Sequence, residues 1–262
     1  MKILLVGDIV GRPGREAVKK LLPGLVKKKN IEFVVANGEN AAGGSGMTPA
    51  ISEELLSYGI DVLTSGDHIW KKKEIMDYIA TSRNLLRPLN YPKEAPGWGS
   101  TVVKSKNNFT IAVVNLAGRV FMSPLECPFR TVAEEVKKLK ERTSIIVVDF
   151  HAEATSEKIA LGWHLDGKVS ALIGTHTHVQ TADEKILPEG TAYITDAGMT
   201  GPFDGVIGRK KEQILTRFIT EIPIRFEMAE GDIRLNGVIV DVDEKTGKAL
   251  AIERVEAKLK ER

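Results

Sequence analysis

The 262-residue sequence predicts an α/β fold with several parallel strands, and three observations carry that reading. Short β-branched runs alternate with amphipathic stretches through the first two thirds of the chain. The runs are too short for helices and are bounded by polar or glycine positions. The last third changes to alternating apolar and polar residues between turn sequences.

Lys2 to Gly7, Glu32 to Ala36, Asp61 to Thr64, Thr110 to Asn115, Ile145 to Phe150 and Ser170 to Ile173 read as buried strands. Between them, Arg15 to Lys29 sets Ala17, Val18, Leu21, Leu22, Leu25 and Val26 on one stripe, with Pro23 expected to kink or end the helix. Thr48-Pro49 opens a second helix as a cap followed by proline at the first helical position. Phe129 to Arg142 and Thr155 to Leu165 read as two more. In the last third, Ile222 to Met228, Ile233 to Val242 and Ala249 to Glu256 are expected to form antiparallel hairpins across Glu230-Gly231-Asp232 and Glu244-Lys245-Thr246-Gly247. A mixed sheet, or two sheets packed face to face with helices outside, accommodates both halves. No repeat or linker divides the chain, so one domain over 1–262 is expected, with an irregular cap around 83–128, where Pro, Gly and Asn concentrate.

A hydrophobic content of 42% suffices for a substantial core. The 37 basic and 35 acidic residues leave a formal charge of +2, which gives no electrostatic case for a nucleic-acid or membrane partner. The runs Lys27-Lys28-Lys29 and Lys71-Lys72-Lys73 read as solvated helix ends. One cysteine, Cys127, excludes an internal disulfide and fits a reducing cytosol. The first eight residues are apolar only briefly before Asp8, short of the ~7–15 apolar residues of a secretory signal. No window approaches the ~18 apolar residues of a membrane span, so a soluble, cytoplasmic protein is expected.

The chemistry is read from the residues just beyond the strand ends. Asp8 comes after the first strand, Glu39-Asn40 after the second, Asp67-His68 after the third, His151 closes Ile145 to Phe150, and His176-Thr177-His178 comes after Ile173. Each has an ordinary reading alone. Asp8 could cap a helix, Glu39-Asn40 could sit in a glycine-rich connection, Asp67-His68 in a tight turn and His151 at a core edge with Asp149 as its orienting partner. Ligands bind beyond the carboxyl ends of strands in open α/β sheets. Five strand ends delivering carboxylates, an amide and imidazoles to one edge therefore point to a metal centre. On an extended chain the imidazoles of His176 and His178 point the same way. Gly7, Gly11 and Gly14 lack the spacing of a dinucleotide loop. His164 falls inside a helical segment and reads as structural. Imidazoles and carboxylates without thiolate suit Fe, Mn or Zn rather than Ca or Mg.

With these residues in hand, the chain resembles the calcineurin-like metallophosphoesterases, and within them the YmdB-type phosphodiesterase family, from Lys2 to about Glu253. The strings that carry the likeness are Gly7-Asp8-Ile9-Val10-Gly11, Asn37-Gly38-Glu39-Asn40, Gly66-Asp67-His68-Ile69-Trp70, His151-Ala152-Glu153-Ala154-Thr155, Gly174-Thr175-His176-Thr177-His178 and Asp196-Ala197-Gly198-Met199-Thr200-Gly201-Pro202. The resemblance implies a four-layer αββα sandwich of two mixed sheets and a dinuclear-metal phosphodiesterase. It further implies 2′,3′-cyclic nucleotides as substrates, iron or manganese as metals, and homo-oligomers. One metal would take Asp8, Glu39, Asn40 and His178; the other Glu39, Asp67, His151 and His176. A hydroxide shared by the two would attack phosphorus, with His68 as proton donor. The family usually has Asn where this chain has Asp67, so the centre here carries an extra negative charge.

A metal-dependent amidohydrolase is disfavoured by the order of the motifs, since there His-x-His comes first and the Asp late. A phosphomonoesterase or nucleotidase shares the metal site and differs only in its substrate pocket. A regulatory, RNA-associated protein with little turnover is the reading from another class; nothing in the sequence indicates RNA.

Overall fold

Strands that are apolar on both faces need cover on both sides, and this chain supplies it with two facing sheets and helices outside each. The computed structural model describes residues 1–260. In chain order the elements are β1 (Lys2–Val6), β2 (Asp8–Ile9), α1 (Gly11–Lys29), β3 (Phe33–Asn37), α2 (Pro49–Ser57), β4 (Val62–Thr64), a 3₁₀ turn (Ile69–Lys71), α3 (Ile75–Thr81), β5 (Ser100–Lys104) and β6 (Thr110–Ala117). They continue with α4 (Pro128–Lys140), β7 (Ile145–His151), α5 (Thr155–Leu165), β8 (Ala171–Thr175), β9 (Lys185–Ile186), β10 (Ala192–Ile194), β11 (Met199–Pro202), α6 (Lys211–Thr220), β12 (Ile233–Val242) and β13 (Ala249–Lys258).

The first sheet runs β2-β11-β12-β1-β3-β4, with β13 also paired to β12. Within it β1, β3 and β4 are parallel and β12 is antiparallel to β1. The second runs β5-β6-β7-β8-β10-β9, with parallel β6, β7, β8 and β10 between antiparallel edges. Side chains alternate between faces. Ile3, Leu5, Phe33 and Val35 therefore meet Val113, Ile145, Val147 and Ile173 of the other sheet in one buried layer. The intervening Leu4, Val6, Val34 and Ala36 pack on Ala17, Val18 and Leu22 of α1 and Leu55 of α2. On the far side Val114, Val148, Leu172 and Tyr193 pack on Val132 and Val136 of α4 and Leu161 and Leu165 of α5. The fold is the four-layer αββα sandwich.

Three details depart from the sequence reading. α1 starts at Gly11 and runs unbroken through Pro23 to Lys29. Pro23 is exposed, so the carbonyl left without its helical donor faces water. Ile222 to Met228 is not a strand; among the described residues its ladder contacts are a single bridge between Met228 and Arg209, with the Glu227 carbonyl accepting from the Lys210 amide at 3.1 Å. In the stretch 83–128, β5 is a strand the sequence reading lacked, paired with β6 over the expected Thr110 to Asn115, with irregular backbone at the two ends and in the turn between them. The β12–β13 hairpin forms as read, its turn closed by the Asp243 carboxylate accepting from the amides of Lys245 and Thr246.

Candidate metal centre

Parallel β1, β3 and β4 of one sheet and β7 and β8 of the other end on the same edge of the sandwich. All eight side chains singled out in the sequence gather there. Asp8 stands in β2 just past β1, Glu39 and Asn40 follow β3, and Asp67 and His68 follow β4; His151 is the last residue of β7, and His176 and His178 follow β8.

At the middle of the group, His151 Nε2 lies 3.2 Å from Glu39 Oε2, 3.4 Å from Asp67 Oδ1 and 2.9 Å from His176 Nδ1. Glu39, Asp67, His151 and His176 each offer a ligand atom, and these four atoms lie within 4.8 Å of one another. Beside them, Asp8 Oδ1 is 3.7 Å from His151 Nδ1 and 3.9 Å from His178 Nε2. Asn40 joins the two groups. Its Nδ2 donates to Glu39 Oε1 at 2.9 Å and lies 3.2 Å from His178 Nε2, while its Oδ1 meets His68 Nδ1 at 2.8 Å. Here the amide turns its nitrogen, not its oxygen, toward the ligand atoms; a half-turn about the last side-chain bond exchanges the two.

Electrostatics shows how charge is distributed over the cluster. Burial pushes Asp8 up to about 8, with Glu39 and Asp196 adding to the rise and the His151 charge opposing it. Burial would lower His151, yet Glu39, Asp67 and Asp8 hold it well above the usual imidazole range. Asp67 is held low despite burial, by His151, His68 and His176. His176 is depressed to about 4 by burial and by the His151 charge. Positive charge is thus concentrated where the three carboxylates converge.

The residues fit a metal. Asp8 Oδ1 and Asp67 Oδ1 are buried and accept no well-directed hydrogen bond, a costly state for carboxylate oxygens that a cation relieves. The donor set is carboxylate and imidazole, with no thiolate. Gly66 explains the tight approach: a Cβ there would overlap Glu39 Oε2 and the His151 ring.

Behind these side chains lies a buried polar layer. Asp149, expected to orient an imidazole, accepts from Thr64 Oγ1 (2.5 Å), Thr175 Oγ1 (2.7 Å) and Asn37 Nδ2 (3.0 Å). Thr175 Oγ1 in turn sits 3.0 Å from His151 Nδ1, so the carboxylate acts on the ring through the hydroxyl. Glu153, which sequence reasoning passed over, holds His176 Nε2 at 3.0 Å. Its place two residues after His151 was the available signal. Tyr91 was also missed: burial raises its hydroxyl, and the Asp67 and Glu39 carboxylates raise it further. Its ring stacks edge-on with Trp70 at 5.7 Å, two residues past His68. His164 lies apart, against Phe129.

The sequence profile described as YmdB-like protein matches residues 4–255. The chain belongs to the YmdB-like family. It is 53% identical over 255 residues to a Bacillus subtilis (strain 168) protein named 2′,3′-cyclic-nucleotide 2′-phosphodiesterase, covering 97% of this chain and 96% of that one. Among solved structures, this YmdB-like chain superposes with a TM-score of 0.92 on a protein titled a novel phosphatase from Mycoplasma pneumoniae, at 36% identity and covering 98% and 93% of the two chains. A hypothetical protein from Thermus thermophilus gives 0.91 at 38% identity, covering 98% and 99%. Among the described residues no helix is long and apolar enough to cross a membrane.

Proposed function

We propose that this YmdB-like protein is a dinuclear-metal phosphodiesterase that hydrolyses 2′,3′-cyclic nucleotides. Two buried carboxylate oxygens, Asp8 Oδ1 and Asp67 Oδ1, accept no well-directed hydrogen bond from the described residues although three imidazoles surround them, and that observation carries the reading. The 53% identity to a protein named for that activity supports the substrate class.

Asp8, Glu39, Asn40 and His178 would hold one cation, and Glu39, Asp67, His151 and His176 the other, with Glu39 common to both. Its two oxygens already face different partners, Oε1 toward Asn40 and Oε2 toward His151. When bound, such a pair supplies Lewis acidity at the phosphoryl group and a nucleophile at neutral pH. Water adds to phosphorus and releases a proton to solvent, the P–O2′ bond breaks, and O2′ leaves with a proton taken in its place. His68 is the group to supply it. The ring is a third exposed and Asn40 engages Nδ1, so Nε2, 3.9 Å from Asp67 Oδ2, would face the leaving oxygen. Glu153 and Thr175 keep the His176 and His151 rings from turning.

Imidazole and carboxylate donors support iron or manganese, with zinc as the third choice. A homo-oligomer is supported by exposed Leu215, Phe218 and Ile219 on α6 and Ile222 just beyond it. Its single cysteine fits a cytoplasmic setting. The neighbour titled a phosphatase keeps a monoesterase as the second reading. Elemental analysis joined to a panel of 2′,3′- and 3′,5′-cyclic nucleotides, a bis-aryl diester and a monoester tests both. About two Fe or Mn per chain with turnover of the 2′,3′-cyclic substrates is expected; turnover of the monoester alone would replace the reading with the second.

A further inference from the structure

Beneath the His176-Thr177-His178 turn lies an ion pair that none of the chemistry above uses. Lys158 on α5 and Asp196, just past β10, are both fully buried, with Lys158 Nζ 2.8 Å from Asp196 Oδ2. The same oxygen accepts from the Thr177 amide at 3.1 Å and from Thr177 Oγ1 at 2.8 Å. Asp196 Oδ1 accepts from the Gly198 amide at 2.8 Å, and the Gly198 carbonyl accepts from the Asp8 amide at 3.0 Å. Asp8 Oδ2 then closes the ring by accepting from the His176 amide at 3.0 Å. Gly174 makes room for this arrangement, since a Cβ there would overlap the Thr195 carbonyl and press on Lys158 Cδ.

The turn needs holding. His176 has φ 102° and His178 φ 66°, values that residues other than glycine rarely adopt. The two histidines are not equally secured by other means. His176 is gripped by Glu153 at 3.0 Å and packs its ring edge-on against His151 at 4.7 Å. Among the described residues His178 meets the Ile207 carbonyl at 3.2 Å, on an exposed loop, the Asn40 amide and, more distantly, Asp8 Oδ1 at 3.9 Å. Asp8 and the Thr177 backbone between the histidines, by contrast, both hang from Asp196. Lys158 also cancels the charge of a carboxylate that would otherwise add to the three already at the centre.

We propose that Lys158 and Asp196 are a positioning pair for the Asp8–Asn40–His178 half of the centre, so that removing the pair empties that half while the Glu39–Asp67–His151–His176 half keeps its cation. The proposal rests on the two-cation reading above. Its test is Mn²⁺ uptake by the full chain, followed by equilibrium dialysis and by electron paramagnetic resonance.

Asp196→Asn alone leaves a buried ammonium unpaired and threatens the fold, so the decisive variant is the double Lys158→Met/Asp196→Asn, which removes both charges. The metal-free double variant should unfold within a few degrees of the wild type. Its second Mn²⁺ should bind ~10–100-fold more weakly. At a concentration that fills both wild-type sites it should hold one ion, with the spin-coupled signal of a pair replaced by that of an isolated ion. Thr177→Val, which deletes only the hydroxyl, should lose part of the same affinity, and Thr177→Ser should restore it. Two ions bound at wild-type affinity by the double variant would overturn this proposal alone. Loss of both ions together with a matching drop in unfolding temperature would do so too, by making the role merely structural. A wild type that binds fewer than two ions would overturn the two-cation reading, and this inference with it.

Discussion

The two sheets contribute opposite halves of one charge balance. The first brings every carboxylate proposed as a ligand, Asp8, Glu39 and Asp67, together with Asn40 and His68; the second brings the imidazoles His151, His176 and His178. Neither set is stable by itself. The three converging carboxylates repel one another, and of the imidazoles only His151 is fully buried, held charged against that burial by Glu39, Asp67 and Asp8. The contacts that reconcile them cross between the sheets, such as His151 Nε2 to Glu39 at 3.2 Å and the His176 amide to Asp8 at 3.0 Å. The apolar layer of Ile3, Leu5, Val147 and Ile173 therefore does more than stabilise the sandwich, because it fixes how far apart the acid half and the imidazole half stand. Cations bound there would clasp the two sheets together.

The strongest way to break this division is to remove the carboxylate on which both ligand sets depend. Glu39→Gln should cost about 10³-fold or more in kcat/KM on every substrate, in keeping with several kcal/mol of lost charge stabilisation. Elemental analysis should find its metal content reduced. Full activity with full metal content would mean that Glu39 is not shared.

His68 comes from the acid sheet but is not needed as a ligand, so it separates catalysis from assembly. His68→Ala should lose ~10²–10⁴-fold in kcat on cyclic nucleotides with metal content intact. The loss should shrink on a nitrophenyl ester, whose leaving group needs no proton. Equal losses on both substrate types would remove His68 from the proton-donor role.

Clasping can be measured without any substrate. With cation at ~100 times its Kd, binding contributes about 2.7 kcal/mol to stability. For a chain of this size that corresponds to roughly 5–10 °C in Tm. Chelation should lower Tm by that amount, and the His151→Ala variant should start low and not respond. An unchanged Tm on chelation in the wild type would show that the sheets hold their spacing without help.

Much of this division was legible in the sequence because each ligand follows a short apolar run. Strand ends are readable from periodicity, and polar residues just beyond them announce the edge of a sheet. What stayed hidden depends on tertiary proximity. Lys158 looks like any lysine on a helix until Gly174 lets its stem run inward to Asp196. The sequence suggests Asp149 as an orienting partner of an imidazole, but the Thr175 hydroxyl through which it acts is visible only in three dimensions. Ile222 to Met228 alternates like a strand, but alternation cannot say whether a neighbouring edge exists. The order of strands within each sheet, and so which residues belong to the acid half, was equally beyond a reading of local pattern.

The mildest test concerns Asp67, the third of the converging carboxylates. With Asp8, Glu39 and Asp67 all ionised, the first sheet brings three negative charges to the centre, against two in a site with Asn at that position. The extra charge should weaken the pull on an incoming phosphate anion or favour a mixed trivalent–divalent pair. Asp67 is about a third exposed, so water screens part of the effect. Asp67→Asn should therefore tighten inhibition by inorganic phosphate only about tenfold, the order expected for one unit charge several ångströms away in a partly solvated site. Electron paramagnetic resonance on the iron-loaded protein should show the variant shifting toward the all-divalent state. If neither phosphate inhibition nor metal valence moves, the acid half tolerates its third carboxylate at no cost to the anion, and its charge is balanced within the sheet interface rather than at the mouth of the site.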